Sequence, residues 1–441
     1  MATTHDFVIA PGGQLTGRIR IPGDKSICHR ALLLGAIANG TTHVSNFLES
    51  ADCLATLACL QTLGVKIERT LPNCVTIEGV GMHGLQAPKR ELDCGNSGTS
   101  LRLLAGVLAG QPFESMLTGD ASLCRRPMLR IIEPLTRMGA VIQSMSGYAP
   151  LAIHGRRPLA PLRYEIPIAS AQVKSSLLLA GLQADGETWL MEPVETRDHT
   201  ERMLPSFGCM VLHDDEWLGI CGGNYLSAAE ITVPGDLSSA AFFMIGTAAQ
   251  PAAHIIIEGM GVNPSRKGVL HVLQTMGADI LLLHEQMLGN EPVADVEVTG
   301  GNLRGVDIGP EVVPFVIDEL PALLIAAASA HGVTTLRGAS ELRVKESDRL
   351  QAMATGLRTL GVEVDLWDDG LRVTGRKDFR GGVVDSFGDH RIAMAFAIAG
   401  LKTHSPLRIR DCRNVDTSFP GFADLARSVG LCIDVREMPN A

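Results

Sequence analysis

The sequence predicts an α/β fold in two domains, each built from three copies of a helix–strand–helix–strand unit. Three observations carry this reading. At 441 residues the chain is too long for one ordinary hydrophobic core, so two or more domains are expected. Six segments end alike, in TLGVKI, RMGAVI, SFGCMV, TMGADI, TLGVEV and SVGLCI, with glycines at Gly64, Gly139, Gly208, Gly277, Gly361 and Gly430. Six others open alike: a polar cluster leads into a run of Ala and Leu that is apolar all round, and such a helix must be buried on every side. Grouped three and three, the units give two domains whose internal helices are walled by sheets. An open solenoid is the alternative, but solenoid helices normally keep a wet face.

The closing glycines fit the left-handed position that ends a helix before a strand. The first opening, GDKSICHRALLLGAIANG, crowds Lys25, Ser26 and Arg30 into one turn, where Asp24 or Ser26 alone would suffice as a cap. It is not a phosphate-binding P-loop, because Asp24 separates Gly23 from Lys25. In the second, GNSGTSLRLLAGVLAG, glycines around Asn96 and Ser97 let a ligand approach the backbone closely. The following LCRRPMLR carries Arg125, Arg126 and Arg130, with Pro127 suited to the first position of a helix.

The third opening, ASAQVKSSLLLAGL, offers Ser170, Gln172 and Lys174, and ETRDHTERM then packs Arg197, Asp198 and His199 together. The fourth, GDLSSAAFFMIGTAA, starts a stretch from Leu237 to Ile257 that holds no formal charge over 21 residues. Gln250-Pro251 splits it and AHIIIEG reads as a strand, so no membrane span is expected. In the fifth, Asp318 and Glu319 precede Pro321 and a buried helix. Downstream, ELRVKESDRL places Lys345 and Arg349 four apart, on one face of a helix, with Glu346 beside them. The sixth puts Asp389, His390 and Arg391 directly ahead of its helix.

Singly, each cluster also fits an ordinary cap or a surface ion pair. Jointly they place cations and hydroxyl or amide donors at five of six buried helix starts, where unpaired N–H groups and the helix dipole already favour anions. That is what an enzyme for small, multiply anionic substrates requires. The net charge of −10 and the 4% aromatic content argue against a nucleic-acid partner, so any anion must be held by local cations. Ten cysteines without a C-x-x-C read as reduced thiols in a cytosol, neither a disulfide framework nor a zinc site. The start, MATTHDFVIAPGG, shows neither the basic nor the apolar region of a secretory signal.

PGDKSICHRAL, GNSGTSLRLL, GDASLCRRPM, ASAQVKSSLLLAGL, TRDHTERM, RVKESDRL and GDHRIAM together resemble the 5-enolpyruvylshikimate-3-phosphate synthases (3-phosphoshikimate 1-carboxyvinyltransferases), from about residue 8 onward. The chain is most similar to the bacterial branch with TRDHTE and ASAQVKS. The other branch commonly has a lysine where Thr417 stands here, so no ligand is carried over to that position.

The resemblance implies a two-domain inside-out α/β barrel of six βαβαββ repeats. Residues 19–233 would form one domain and residues 1–18 with 234–441 the other, with the active site in the cleft between them. It implies that Lys25, Ser26, Arg30, Ser170, Ala171 (through its backbone), Gln172, Arg197, Asp318 and Lys345 bind shikimate 3-phosphate. Lys25, Gly98, Arg126, Gln172, Arg349 and Arg391 would bind phosphoenolpyruvate, and glyphosate would occupy the same space beside Gly98. Lys25, Asp318 and Glu346 would be catalytic, with Asp318 accepting the 5-hydroxyl proton and Glu346 exchanging the enolpyruvyl methylene proton; His390 ranks second. No cofactor and no metal are implied, and a cytoplasmic monomer is expected. The related transferase acting on UDP-N-acetylglucosamine usually has a cysteine about five residues before the Arg-Pro, where this chain has Asp120 or Ala121.

Overall fold

The computed structural model describes residues 3–439. They form two compact units. The first comprises Gly23–Val233 with Leu288–Glu291; the second comprises the chain up to Pro22, Pro234–Met287 and everything from Pro292 on. Each has its own hydrophobic core. Among the described residues each unit holds three four-stranded sheets.

One repeat of the first unit gives the pattern. Leu92–Asp93 runs parallel to Glu114–Thr118, so the chain must cross over between them, and it does so through a buried helix. Tyr148–His154 pairs antiparallel with Glu114–Thr118, and Val141–Met145 closes the sheet against Tyr148–His154. The unit's first sheet takes its leading strand, Glu230–Thr232, from the end of the third repeat, where it lies parallel to Asn39–Ser45.

The second unit repeats the scheme with a displaced start. Thr16–Arg20 leads its first sheet, parallel to His254–Gly261. Because Thr16–Arg20 is one unbroken strand, the chain leaves this unit after Pro22 rather than after residue 18. In its last sheet the N-terminal strand Thr3–Ile9 lies between Leu407–Arg410 and Ile433–Pro439, antiparallel to both.

Six buried helices open the repeats: α1 (Lys25–Ile37), α2 (Gly98–Ala109), α3 (Ala171–Gly181), α4 (Leu237–Ala248), α5 (Leu320–Ser329) and α6 (His390–Ala399). Of these, α2, α3, α5 and α6 cross over within one sheet, whereas α1 and α4 lead from Thr16–Arg20 and Glu230–Thr232 into a different sheet. Every residue of α4, α5 and α6 is buried, as the all-round apolar pattern requires. In the first unit the exceptions are informative. Lys25 and Ser26 in α1, Thr99 and Arg102 in α2, and Ala171 and Gln172 in α3 are the residues of those helices left partly exposed, all in the first turns. Five starts are capped by a side chain that accepts a backbone N–H: Asp24, Ser97, Ser170, Asp236 and Asp389.

The six closing glycines all have positive φ, from +80° at Gly208 and Gly361 to +106° at Gly139, a conformation glycine adopts without a Cβ penalty. The uncharged run after Asp236 is α4, a turn and the strand His254–Gly261. No helix among the described residues is long and apolar enough to cross a membrane.

Candidate active site

In the first unit the starts of α1, α2 and α3 present cations held by neutral or acidic partners. Lys25 Nζ lies 2.9 Å from Asp52 Oδ2, both side chains largely buried. Arg30 is 4% exposed and anchored three ways: Nε donates to Thr200 Oγ1 at 2.7 Å, Nη2 to Ser175 Oγ at 2.6 Å and Nη1 to the Ser26 carbonyl at 2.9 Å. Burial lowers its pKa to about 10, against the opposing pull of Glu201 and Asp24, while Arg197 adds to the lowering. It therefore stays a cation at neutral pH.

The second group lies around Gly98. A Cβ placed there would stand 3.2 Å from Arg102 Nη1 and 3.3 Å from Arg126 Nη1, so two guanidinium groups flank a bare Cα. Neutral carbonyl acceptors hold them: the Gln172 side chain for Arg102 and Asn96 Oδ1, at 2.7 Å, for Arg126. Gln172 Nε2 in turn donates to Thr99 Oγ1 at 2.9 Å. Two like charges flanking one Cα favour an anion beside it. Ser170 caps α3 by accepting from Val173 N, and Ala171 opens that helix.

In the second unit Asp318 is ringed by cations. Its Oδ1 is 3.9 Å from Lys345 Nζ and 3.6 Å from Arg349 Nη1, and its Oδ2 is 3.8 Å from Arg391 Nη2. Arg391 Nη1 also donates to the Asp318 carbonyl at 2.7 Å. Arg349 is 1% exposed; Nη2 meets Glu346 Oε2 at 2.5 Å and Nε meets Asp389 Oδ2 at 2.8 Å. Burial opposes its charge, but Asp389, Glu346 and Asp318 outweigh burial and raise its pKa further. His390 begins α6, buried beside these groups, and Thr417 bonds back to the Asn414 carbonyl.

Two local expectations need correction. Lys345, Glu346 and Arg349 do not share a helix: a 3-10 turn ends at Val344, Asp348 caps the next helix, and that helix begins at Arg349. The three are brought together by Asp318 and Arg349, not by helical spacing. Pro127 is not the first helical residue either; the helix runs Leu129–Arg137 with Met128 at its N-cap. The sequence reading also missed Arg102 and Asp52, the partners of Gln172 and Lys25. Arg102 was detectable, since it lies four residues after Gly98 on the same face of α2. Among the described residues no group of three or more His, Cys, Asp or Glu is placed to hold a metal ion.

A family model described as EPSP synthase (3-phosphoshikimate 1-carboxyvinyltransferase) matches residues 9–425. The chain belongs to the EPSP synthase family. Among curated members, the 3-phosphoshikimate 1-carboxyvinyltransferase of Alkalilimnicola ehrlichii is 54% identical over 429 residues, covering 97% of this chain and 96% of that protein. The protein of the same name from Methylococcus capsulatus is 55% identical over 430 residues, covering 97% and 98%. The EPSP synthase of Acinetobacter baumannii superimposes with a TM-score of 0.88 at 49% identity, covering 98% of this chain and all of that one. The enolpyruvyl transferase NikO of Streptomyces tendae shares the fold at 18% identity and a TM-score of 0.80. The EPSP synthase architecture, two domains of three repeats each, is thus the architecture of this chain.

Proposed function

We propose that the protein transfers the enolpyruvyl group of phosphoenolpyruvate to the 5-hydroxyl of shikimate 3-phosphate, giving 5-enolpyruvylshikimate 3-phosphate and inorganic phosphate. The observation that carries this reading is Asp318, a carboxylate standing among three cations. The reaction needs a proton acceptor surrounded by groups that neutralise substrate phosphates and carboxylates. Lys25, Ser26, Arg30, Ser170, the Ala171 backbone, Gln172, Arg197 and Lys345 bind shikimate 3-phosphate. Lys25, Gly98, Arg126, Gln172, Arg349 and Arg391 bind phosphoenolpyruvate, and Arg102 joins them through its bond to Gln172.

The chemistry is addition followed by elimination. Asp318 takes the 5-hydroxyl proton as the oxygen adds to C2 of phosphoenolpyruvate, and C3 gains a proton from Glu346. Glu346 then takes a C3 proton back from the tetrahedral intermediate as the bond from C2 to the phosphate oxygen breaks, so that phosphate leaves and the C2–C3 double bond of the product enol ether forms. The roles assigned here fall on residues of both units. The proposed enzyme is a cytosolic monomer without nucleic-acid or membrane partners, which light scattering and fractionation would check.

The deciding experiment supplies phosphoenolpyruvate with either shikimate 3-phosphate or UDP-N-acetylglucosamine and follows phosphate release, with mass spectrometry of the product. Release should occur with shikimate 3-phosphate, one phosphate per enol ether formed. Release with UDP-N-acetylglucosamine instead would overturn the assignment.

A further inference from the structure

Lys174 stands near the start of α3, two residues after Gln172, yet its ammonium is taken up within the protein. It is 2% exposed, and its ammonium meets three acceptors: Glu192 Oε2 at 2.7 Å, Glu201 Oε1 at 2.6 Å and the Thr196 carbonyl at 3.3 Å. An ammonium has three protons to donate, and the geometry accounts for all three. No capacity is left for a substrate phosphate.

The three acceptors share an origin. Glu192 follows the strand Glu187–Met191, Thr196 lies in the connecting loop and Glu201 is in the short helix His199–Met203. Lys174 therefore ties both ends and the middle of one ten-residue segment, 192–201, to α3. Thr196 tightens the loop by bonding through its hydroxyl to Glu192. That segment carries Arg197, and its Thr200 hydroxyl accepts from Arg30 and lies 2.8 Å from the hydroxyl of Ser175, the neighbour of Lys174. Thr200 and Ser175, the chain neighbours of Glu201 and Lys174, thus both reach Arg30, and Thr196 directly precedes Arg197. Burial opposes the Lys174 charge, but the two carboxylates outweigh it.

We propose that Lys174 is a positioning residue for shikimate 3-phosphate: it contacts no substrate atom, and through Glu192, Thr196 and Glu201 it fixes the segment that carries Arg197 and anchors Arg30. The substrate named here rests on the function proposed above. An ion cluster serving only to stabilise the fold would affect both substrates alike, or neither.

Lys174→Met leaves two buried carboxylates without their cation and can fail to fold. The companion variant, Lys174→Met with Glu192→Gln and Glu201→Gln, removes the clamp and its charges together. In whichever variant folds, the KM for shikimate 3-phosphate should rise at least tenfold, with kcat and the KM for phosphoenolpyruvate within threefold of wild type. Amide exchange in residues 192–203, measured without substrate, should quicken at least tenfold while residues 98–109 stay unchanged. Unchanged exchange in 192–203, an unchanged KM for shikimate 3-phosphate, or equal losses for both substrates would overturn the proposal. If wild type takes up no shikimate 3-phosphate in calorimetry, the proposed function has failed, and the exchange comparison still decides the clamp.

Discussion

Arg349 and Asp389 meet through two nitrogens and two oxygens, Nε to Oδ2 at 2.8 Å and Nη2 to Oδ1 at 3.3 Å, with both side chains closed to solvent. The same carboxylate caps α6 by accepting from Arg391 N at 2.9 Å and takes a bond from Ser347 Oγ at 3.1 Å. One side chain thus aligns two of the cations around Asp318. Asp389→Asn keeps the cap but leaves Arg349 short of a counter-charge in a dry setting. Removing one partner of such a pair typically costs about 3–5 kcal/mol. A lower urea midpoint together with a loss in kcat/KM is expected; a variant as stable as wild type would show that Glu346 and Asp318 suffice for Arg349.

Lys25→Ala removes a cation assigned to both substrates. Loss of one desolvated, charge-assisted contact is worth ~10²-fold or more in kcat/KM. Both KM values and kcat should deteriorate in a variant whose circular dichroism matches wild type. Wild-type kinetics would reduce Lys25 to a structural partner of Asp52.

Gly98→Ala presses a methyl group against the ends of Arg102 and Arg126 at 3.2 and 3.3 Å. Both are flexible side chains, so they yield by a few tenths of an ångström rather than unfold the helix. The KM for phosphoenolpyruvate should rise modestly. Glyphosate, the longer ligand, should lose more, so its inhibition constant should rise by the larger factor. Wild type indifferent to millimolar glyphosate would show that something other than residue 98 sets this pocket.

The repeat-ending glycines should not be equally costly to replace. At Gly277, φ is +94° and an added Cβ meets nothing closer than the Asn302 carbonyl at 3.8 Å, so Gly277→Ala should cost about 1–2 kcal/mol from conformation alone. At Gly430, φ is +105° and the Cβ would fall 2.1 Å from the Gln14 carbonyl, so Gly430→Ala should be clearly worse. Denaturation midpoints of the two variants test the ranking.

Much of this was legible because the signals are local. A glycine between a helix and a strand announces a left-handed residue, and an all-apolar helix announces burial; neither needs a partner to be known. The order of strands in the sheets is non-local. Nothing in the pattern of FVIA says that Thr3–Ile9 pairs with strands some 400 residues on, and only the family resemblance supplied that. Within the site, residue type was easier to read than direction. Gln172 and Lys174 looked like one donor cluster, but residues two apart on a helix point to different sides, and only Gln172 faces Arg102. Asp52 gave no sign in the sequence, because an acidic residue in a first helical turn is what any helix favours.

The pairing of Thr3 with Pro439 has a consequence of its own. In five repeats the last two strands of a sheet are joined by a tight hairpin, as at Asp214–Trp217; in the sixth, the same antiparallel partners are Ile433–Pro439 and Thr3–Ile9, which the chain does not join there. The chain therefore traces a cycle of six repeats, severed once, in which four leading strands feed their own sheet and two, Thr16–Arg20 and Glu230–Thr232, feed a different one. Where it is severed is a matter of gene order, not of packing. A circular permutant joined from Pro439 to Thr3 through a two-residue turn and opened at the exposed Asp215–Glu216 turn would retain the strand pairings and every site residue, and would differ only in which repeat the ribosome makes first.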